Sequence, residues 1–206
     1  MAGLLANFRN TVIVSVLLAL VMIFAYSQSP HGVDAAFWQA VFRWLHTFFG
    51  ILWIGLLYYF NFVQIRKMPD IPAELKPAVS KYIAPEALFW FRWAAVLTVL
   101  MGLAIAYARG VDYAHETLTL GLFNGYDAAA DRGFTLLGLA VWLAIIMAIN
   151  VWVFIWPNQK IALGIVEGDA DAKAKAGRTA MLFSRTNMLL SIPMLTGMTM
   201  TQTLFG

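Results

Sequence analysis

Hydrophobic positions along the chain gather into five long runs separated by polar, Pro- and Gly-containing loops. They are Thr11–Tyr26, Ala36–Gln64, Ala87–Ala108, Gly133–Trp156 and Thr179–Leu204. A helix needs about 20 apolar residues to cross a bilayer, and each run comes close to that or exceeds it. The pattern predicts an all-α integral membrane protein, a single domain over residues 1–206 built as a bundle of five transmembrane helices. The first run is the shortest. Arg9 before it and Ala25-Tyr26-Ser27 after it also fit a cleavable signal peptide, although a retained helix is the reading preferred here.

The polar intervals have their own grammar. Pro69, Pro72, Pro77 and Pro85 are expected to break the second loop into short pieces, and Pro157 to end the fourth helix after Trp156. Ala170–Lys175 is rich in helix formers and predicts a surface helix running into the fifth span. Pro193, inside that span, predicts a kink.

Composition agrees with the pattern. Of 206 residues, 61% are hydrophobic and 12% charged, about half the charged share of a soluble domain. Mean hydropathy is +0.73. With no cysteine in the chain, disulfides, thiol catalysis, zinc–cysteine sites and covalent c-type heme are excluded. The net charge of +3 is modest and does not describe a nucleic-acid surface.

Loop charge predicts orientation. Arg9, Arg66, Lys67, Lys76, Lys81, Lys160, Lys173, Lys175 and Arg178 fall on one side; Arg109 and Arg132 are alone on the other. The positive-inside rule then puts the N-terminus in the cytoplasm and the C-terminus outside, in the periplasm if the membrane is a bacterial inner membrane. His46 falls in the outer half of the second helix.

Candidate chemistry lies where charge meets the apolar runs. An ionisable residue in a span costs a few kcal/mol by insertion scales and usually faces protein, water or a ligand. Arg43 and His46 occupy one face of the second helix with Gly50, which is expected to leave a recess beside the imidazole for a flat ligand. Arg92 and Arg185 also lie inside their runs with no carboxylate evident nearby. Each can snorkel to the headgroups or hold an anion such as a heme propionate, an oxidised purine or a lipid phosphate. His46 can bond a neighbouring carbonyl, act as a base, or ligate heme b or another metal. Candidates to complete such a site are His31 and His115 in outer loops, and Met194 and Met198 at similar depth on the fifth helix. Methionines there are also ordinary packing. Asn61, Asn150 and Asn187 suit interhelical hydrogen bonds, and Asn150 and Asn187 are also candidate substrate or anion ligands. The tryptophans, among them Trp44, Trp53, Trp90, Trp93, Trp142, Trp152 and Trp156, suit an interface belt and packing.

Several stretches taken in order resemble the membrane domain of the membrane-bound urate oxidase (urate hydroxylase) family. They are Arg43-Trp44-Leu45-His46 with Trp53-Ile54-Gly55 and Tyr58–Phe60; Tyr82-Ile83-Ala84-Pro85-Glu86 leading into Leu88–Trp93; Asn150-Val151 through Pro157-Asn158-Gln159-Lys160; and Asn187 through Ile192-Pro193. The resemblance spans the second helix to the C-terminus. It implies an oxidoreductase of purine catabolism acting on urate or a similar planar molecule. His46 then ligates heme or a metal or serves as base, and Arg43, Arg92 and Arg185 hold anionic groups. Family members carry a C-terminal cytochrome c domain. This chain has no CxxCH, so a separate cytochrome c is the implied acceptor. Ala87, the Arg185–Asn187 region and Gln202 stand where family histidines are expected. That motivates a competing, non-catalytic reading: a membrane subunit of a larger redox complex or a homo-oligomer.

Overall fold

The computed structural model describes residues 2–30, 32–125, 127 and 131–205. His31, named above, lies outside the described residues. Those described form helices and connecting turns, with no strand among them. After one turn at Ala2–Leu5, helix α1 runs from Phe8 to Ser27. Helices α2 (Ala35–Asp70), α3 (Lys76–Arg109) and α5 (Arg132–Ala162) follow, with a short helix α4 (Val111–Leu118) between the last two. Helix α6, Ala170–Leu204, closes the chain.

Four of these, α1, α2, α3 and α5, are long and apolar enough to cross a membrane. Helix α6 is as long as the others, but its hydropathy is diluted. Asn187, Ser191, Thr196, Thr199, Thr201 and Gln202 interrupt its apolar stretch. As expected for Ala170–Lys175, its polar first turns are continuous with the rest. Asp169 caps them, its side chain accepting from the Ala172 N–H at 2.7 Å.

Two proline expectations are corrected. Pro157 does not end the fourth helix, which continues to Ala162. The turn before it, Asn150–Ile155, is π-helical, and the Trp156 N–H bonds back five residues to the Val151 carbonyl. That widened turn makes room ahead of a ring that would otherwise meet the carbonyl four residues back, and Pro157 starts the next α-helical turn. Pro77 and Pro85 likewise fall within α3 instead of breaking a loop, on either side of a π-helical turn at Val79–Ile83. The segment between α3 and α5 also folds further than the sequence suggested. Gly110 turns the chain at φ +134°, ψ 149°, a conformation essentially restricted to glycine, and α4 starts at the next residue.

Helix α2 packs mainly on α3, and α5 on α6; the two pairs then face each other. Their shared core contains Trp53, Leu57 and Phe60 of α2, Phe91 and Ala95 of α3, Met147 and Val151 of α5, and Met194 of α6. Small residues set the close crossings. A Cβ at Gly197 would come 2.7 Å from that of Ala140, and one at Gly138 would collide with the Thr117 carbonyl of α4. Helix α1 buries no residue and packs lightly, against the turn before it and against α2. Large apolar side chains cover the outside, among them Leu18, Ile51, Leu139 and Leu189, as an acyl-chain environment favours.

Candidate functional site

The half of the bundle next to α4 holds a cavity of about 700 Å³ whose walls come from α2 to α6. His46 stands in its wall. The ring's Nδ1 lies 2.8 Å from the backbone carbonyl of Thr98 on α3. A carbonyl only accepts, so Nδ1 carries the hydrogen and the basic lone pair is on Nε2. The Thr98 hydroxyl donates to the Ala94 carbonyl at 2.7 Å, which leaves its own carbonyl to the imidazole.

Gly50 lines this cavity together with His46, as expected for a recess beside the imidazole. A Cβ at Gly50 would find Thr98 Cγ2 at 3.7 Å, an ordinary packing distance, so Gly50 lines the cavity without cradling the ring. The glycine that makes room for the imidazole is Gly102 of α3. A Cβ there would come 3.0 Å from His46 Cε1 and 3.1 Å from Nδ1.

Arg43 lines the same cavity one turn away and makes no hydrogen bond or ion pair among the described residues. A second guanidinium joins it. Arg109, at the end of α3, lines the cavity and donates from Nη1 to the Tyr113 hydroxyl at 2.7 Å, with its Cζ 4.7 Å from the centroid of that ring. Tyr113, Thr117 and Leu118 of α4 cover one end of it. Helix α4 is held down by the Trp142 indole N–H, which donates to the Leu118 carbonyl at 2.9 Å. The buried Glu116 carboxylate ties in the loop that follows, accepting from the N–H groups of Phe123 (3.2 Å) and Asn124 (2.9 Å). No Asp or Glu lines the cavity, so its two guanidinium charges meet no opposite charge there.

Most of the remaining wall is apolar. Met194 and Met198, matched to His46 by depth, both line it, as does Gln202. Trp53, read as belt or packing, is fully buried, and its indole N–H has no acceptor. Its side chain is also part of the cavity wall, and a buried donor left without an acceptor costs about 1–3 kcal/mol. Tyr58 marks the end away from α4, its hydroxyl 3.3 Å from Ser191 Oγ.

The other sequence candidates lie elsewhere. Arg92 sits midway along α3, its guanidinium 3.4 Å from the centroid of Trp156 and 6.0 Å from that of Trp152. Its Nε and Nη1 are buried without hydrogen-bond partners, so indole faces provide its immediate stabilisation. Arg185 is exposed on α6 and has no polar partner among the described residues. Asn150 Nδ2 donates to Asn187 Oδ1 at 3.0 Å, and Asn187 Nδ2 to the Met147 carbonyl at 2.9 Å. This clamp fastens α5 to α6 beside the π-helical turn. Asn61 similarly donates to the Leu57 carbonyl (2.9 Å) and to Ser184 Oγ (3.0 Å). The His115 ring packs on Phe123 at 4.9 Å, away from the cavity, with Nδ1 buried and unpartnered. Among the described residues no group of three or more His, Asp or Glu side chains could hold a metal ion.

Arg109, Tyr113, Trp53 and Gly102 are the cavity residues that sequence reading missed. The chain matches no family model, no curated protein and no solved structure.

Proposed function

We propose that this chain is a redox-linked membrane protein of the urate oxidase type, with the cavity beside His46 as its cofactor site. The observation that carries the reading is the bond from His46 Nδ1 to the Thr98 carbonyl. An imidazole that donates through one nitrogen to a carbonyl presents the other as a fixed metal ligand. Around it are apolar walls and two guanidiniums without a carboxylate. Those features suit a planar, largely apolar group with an acidic edge, and heme b has that chemistry. His46 Nε2 would bind the iron, Arg43 and Arg109 the propionates, and Met194 or Met198 could supply a second ligand. Bound there, heme would carry single electrons from an oxidisable planar substrate, urate or a relative of it, to a separate cytochrome c. The chain's own residues hold and orient the group, and α4 keeps water from its outer end.

In this reading α6 is the fifth span. The N-terminus is cytoplasmic, the C-terminus periplasmic, the membrane a bacterial inner membrane, and the cavity lies in its outer half. An optical spectrum with a heme assay of the purified protein tests the assignment. A Soret band and bound b-type heme support it. Protein that is free of heme and takes up none when hemin is added overturns it, and a non-catalytic subunit of a larger complex then becomes the favoured reading.

A further inference from the structure

The walls of the cavity differ in one respect. Every lining residue that is also exposed at the protein surface belongs to α2 or α6: Arg43, Thr47, Ile51 and Gly55 on one side, Thr199 and Gln202 on the other. Lining residues from α3, α4 and α5 are buried or half-buried. The remaining sides are shut by contacts already described. His46 and Gly102 close α2 against α3, Gly197 and Ala140 close α5 against α6, α4 covers one end, and Tyr58 with Ser191 marks the other. Between α2 and α6 there is a slot instead. Gly55 stands in it with nothing within 4 Å of the position a Cβ would take, and Ile51 beside it is 71% exposed. The slot lies within the length of α2 that is apolar enough to span a membrane, so its mouth faces acyl chains.

We infer that the cavity is loaded sideways from the bilayer through the slot between α2 and α6, by a membrane-dissolved planar amphiphile such as free heme. The slot rests on exposure and packing; the identity of the cargo rests on the reading proposed above. A largely apolar ring passes Ile51 and Gly55 at no cost in desolvation, whereas a water-soluble anion such as urate must leave water to reach the same mouth. Charge then sets the end point. Acidic groups on the cargo meet Arg43 and Arg109. An apolar body with an acidic edge satisfies the slot and the cavity together.

The absence of cysteine from the chain makes a direct test practical. Single-cysteine variants Gly55→Cys in the slot and Leu139→Cys on the outer face of α5 are reconstituted in phosphatidylcholine vesicles. They are treated with a lipid-dissolved pyrenyl maleimide or a charged, water-soluble maleimide. The expected result is that the lipid-dissolved reagent labels both variants. Added hemin should then slow labelling of Gly55→Cys by about tenfold and leave Leu139→Cys unchanged. Faster reaction of Gly55→Cys with the charged reagent means a mouth open to water and overturns the proposal. A second variant, Gly55→Trp, fills the mouth. Hemin uptake from vesicles should slow by about tenfold; uptake at the wild-type rate also overturns it. If the wild type takes up no hemin by either route, the heme reading falls, and the two maleimides still decide whether the slot opens to lipid.

Discussion

The imidazole of His46 rests against Gly102, with only 3.0 Å between its Cε1 and the place a Cβ would occupy. The fit positions the ring to reach the Thr98 carbonyl one turn earlier on the same helix, so the tautomer of His46 depends on a glycine 56 positions away in the chain.

Substitution at Gly102 should therefore act on the ligand before it acts on the fold. Gly102→Ala adds a contact tighter than normal packing, while alanine is favoured over glycine in a helix by about 1 kcal/mol. Stability should stay near wild type while the ring moves and heme retention falls. Gly102→Leu overpacks the interface and should cost about 1–3 kcal/mol. Heme per protein and the thermal midpoint, measured on the same samples, separate the two effects. Unchanged heme in both variants would mean that the ring's placement is unimportant.

His46 and Arg43 should fail differently. His46→Ala removes the proposed iron ligand and should abolish heme binding while the bundle still folds. Arg43→Ala removes a charged hydrogen bond of about 1.5–3 kcal/mol and should weaken retention at least tenfold without abolishing it. Arg43→Lys should recover little, because an ammonium cannot make the two-pronged contact of a guanidinium. Equal heme in wild type, His46→Ala and Arg43→Ala, purified in one detergent, would remove His46 from the site.

The Asn150–Asn187 clamp predicts stability effects without ligand effects. Asn187→Ala leaves Asn150 Nδ2 and the Met147 carbonyl without their present partner. In a membrane interior such pairs couple by about 0.6–1.7 kcal/mol. A double-mutant cycle of Asn150→Ala and Asn187→Ala, followed by denaturation in mixed micelles, should return a coupling in that range with heme content unchanged. Loss of heme from either single variant would instead place the clamp in the binding machinery.

Part of this site was legible in the sequence because membrane helices make charge conspicuous. An arginine and a histidine one turn apart on an apolar run mark a face that needs a partner, and the depth of Met194 and Met198 follows from counting turns. What stayed hidden depends on neighbours across an interface. Nothing local distinguishes Gly102 from Gly50, yet only the former faces the imidazole. Arg109 read as a loop charge because the continuation of the chain into α4, which folds back over the cavity, hinges on the single backbone conformation of Gly110. Pro157 carried a strong stop signal, but the wider π-helical turn before it cancels the clash on which that signal rests. Helix α6 shows the opposite tension. Of the polar residues that lower its hydropathy, Asn187, Ser191 and Thr201 are buried in the bundle, whereas Thr196, Thr199 and Gln202 are exposed.

Orientation supplies the last prediction. Nine basic residues flank the spans on one side and two on the other. The two, Arg109 and Arg132, fall at the end of α3 and the start of α5, so α4 and the cavity lie on the side poor in positive charge. With α6 as a fifth span, the C-terminus emerges on that side as well. A periplasm-active reporter fused after residue 206 should be active, and a cytoplasm-active one silent. The same reporter pair inserted between Gly168 and Asp169 should give the opposite result, since that loop precedes α6 and lies among the lysines. Matching signals from both sites would mean that α6 does not cross, and the opposite pattern at both would invert the protein. Inversion would leave the slot facing lipid but turn the covered end of the cavity, with Arg43 and Arg109, toward the cytoplasm. A periplasmic cytochrome could not then be its acceptor, so the reporter result bears on the proposed electron route as directly as on the topology.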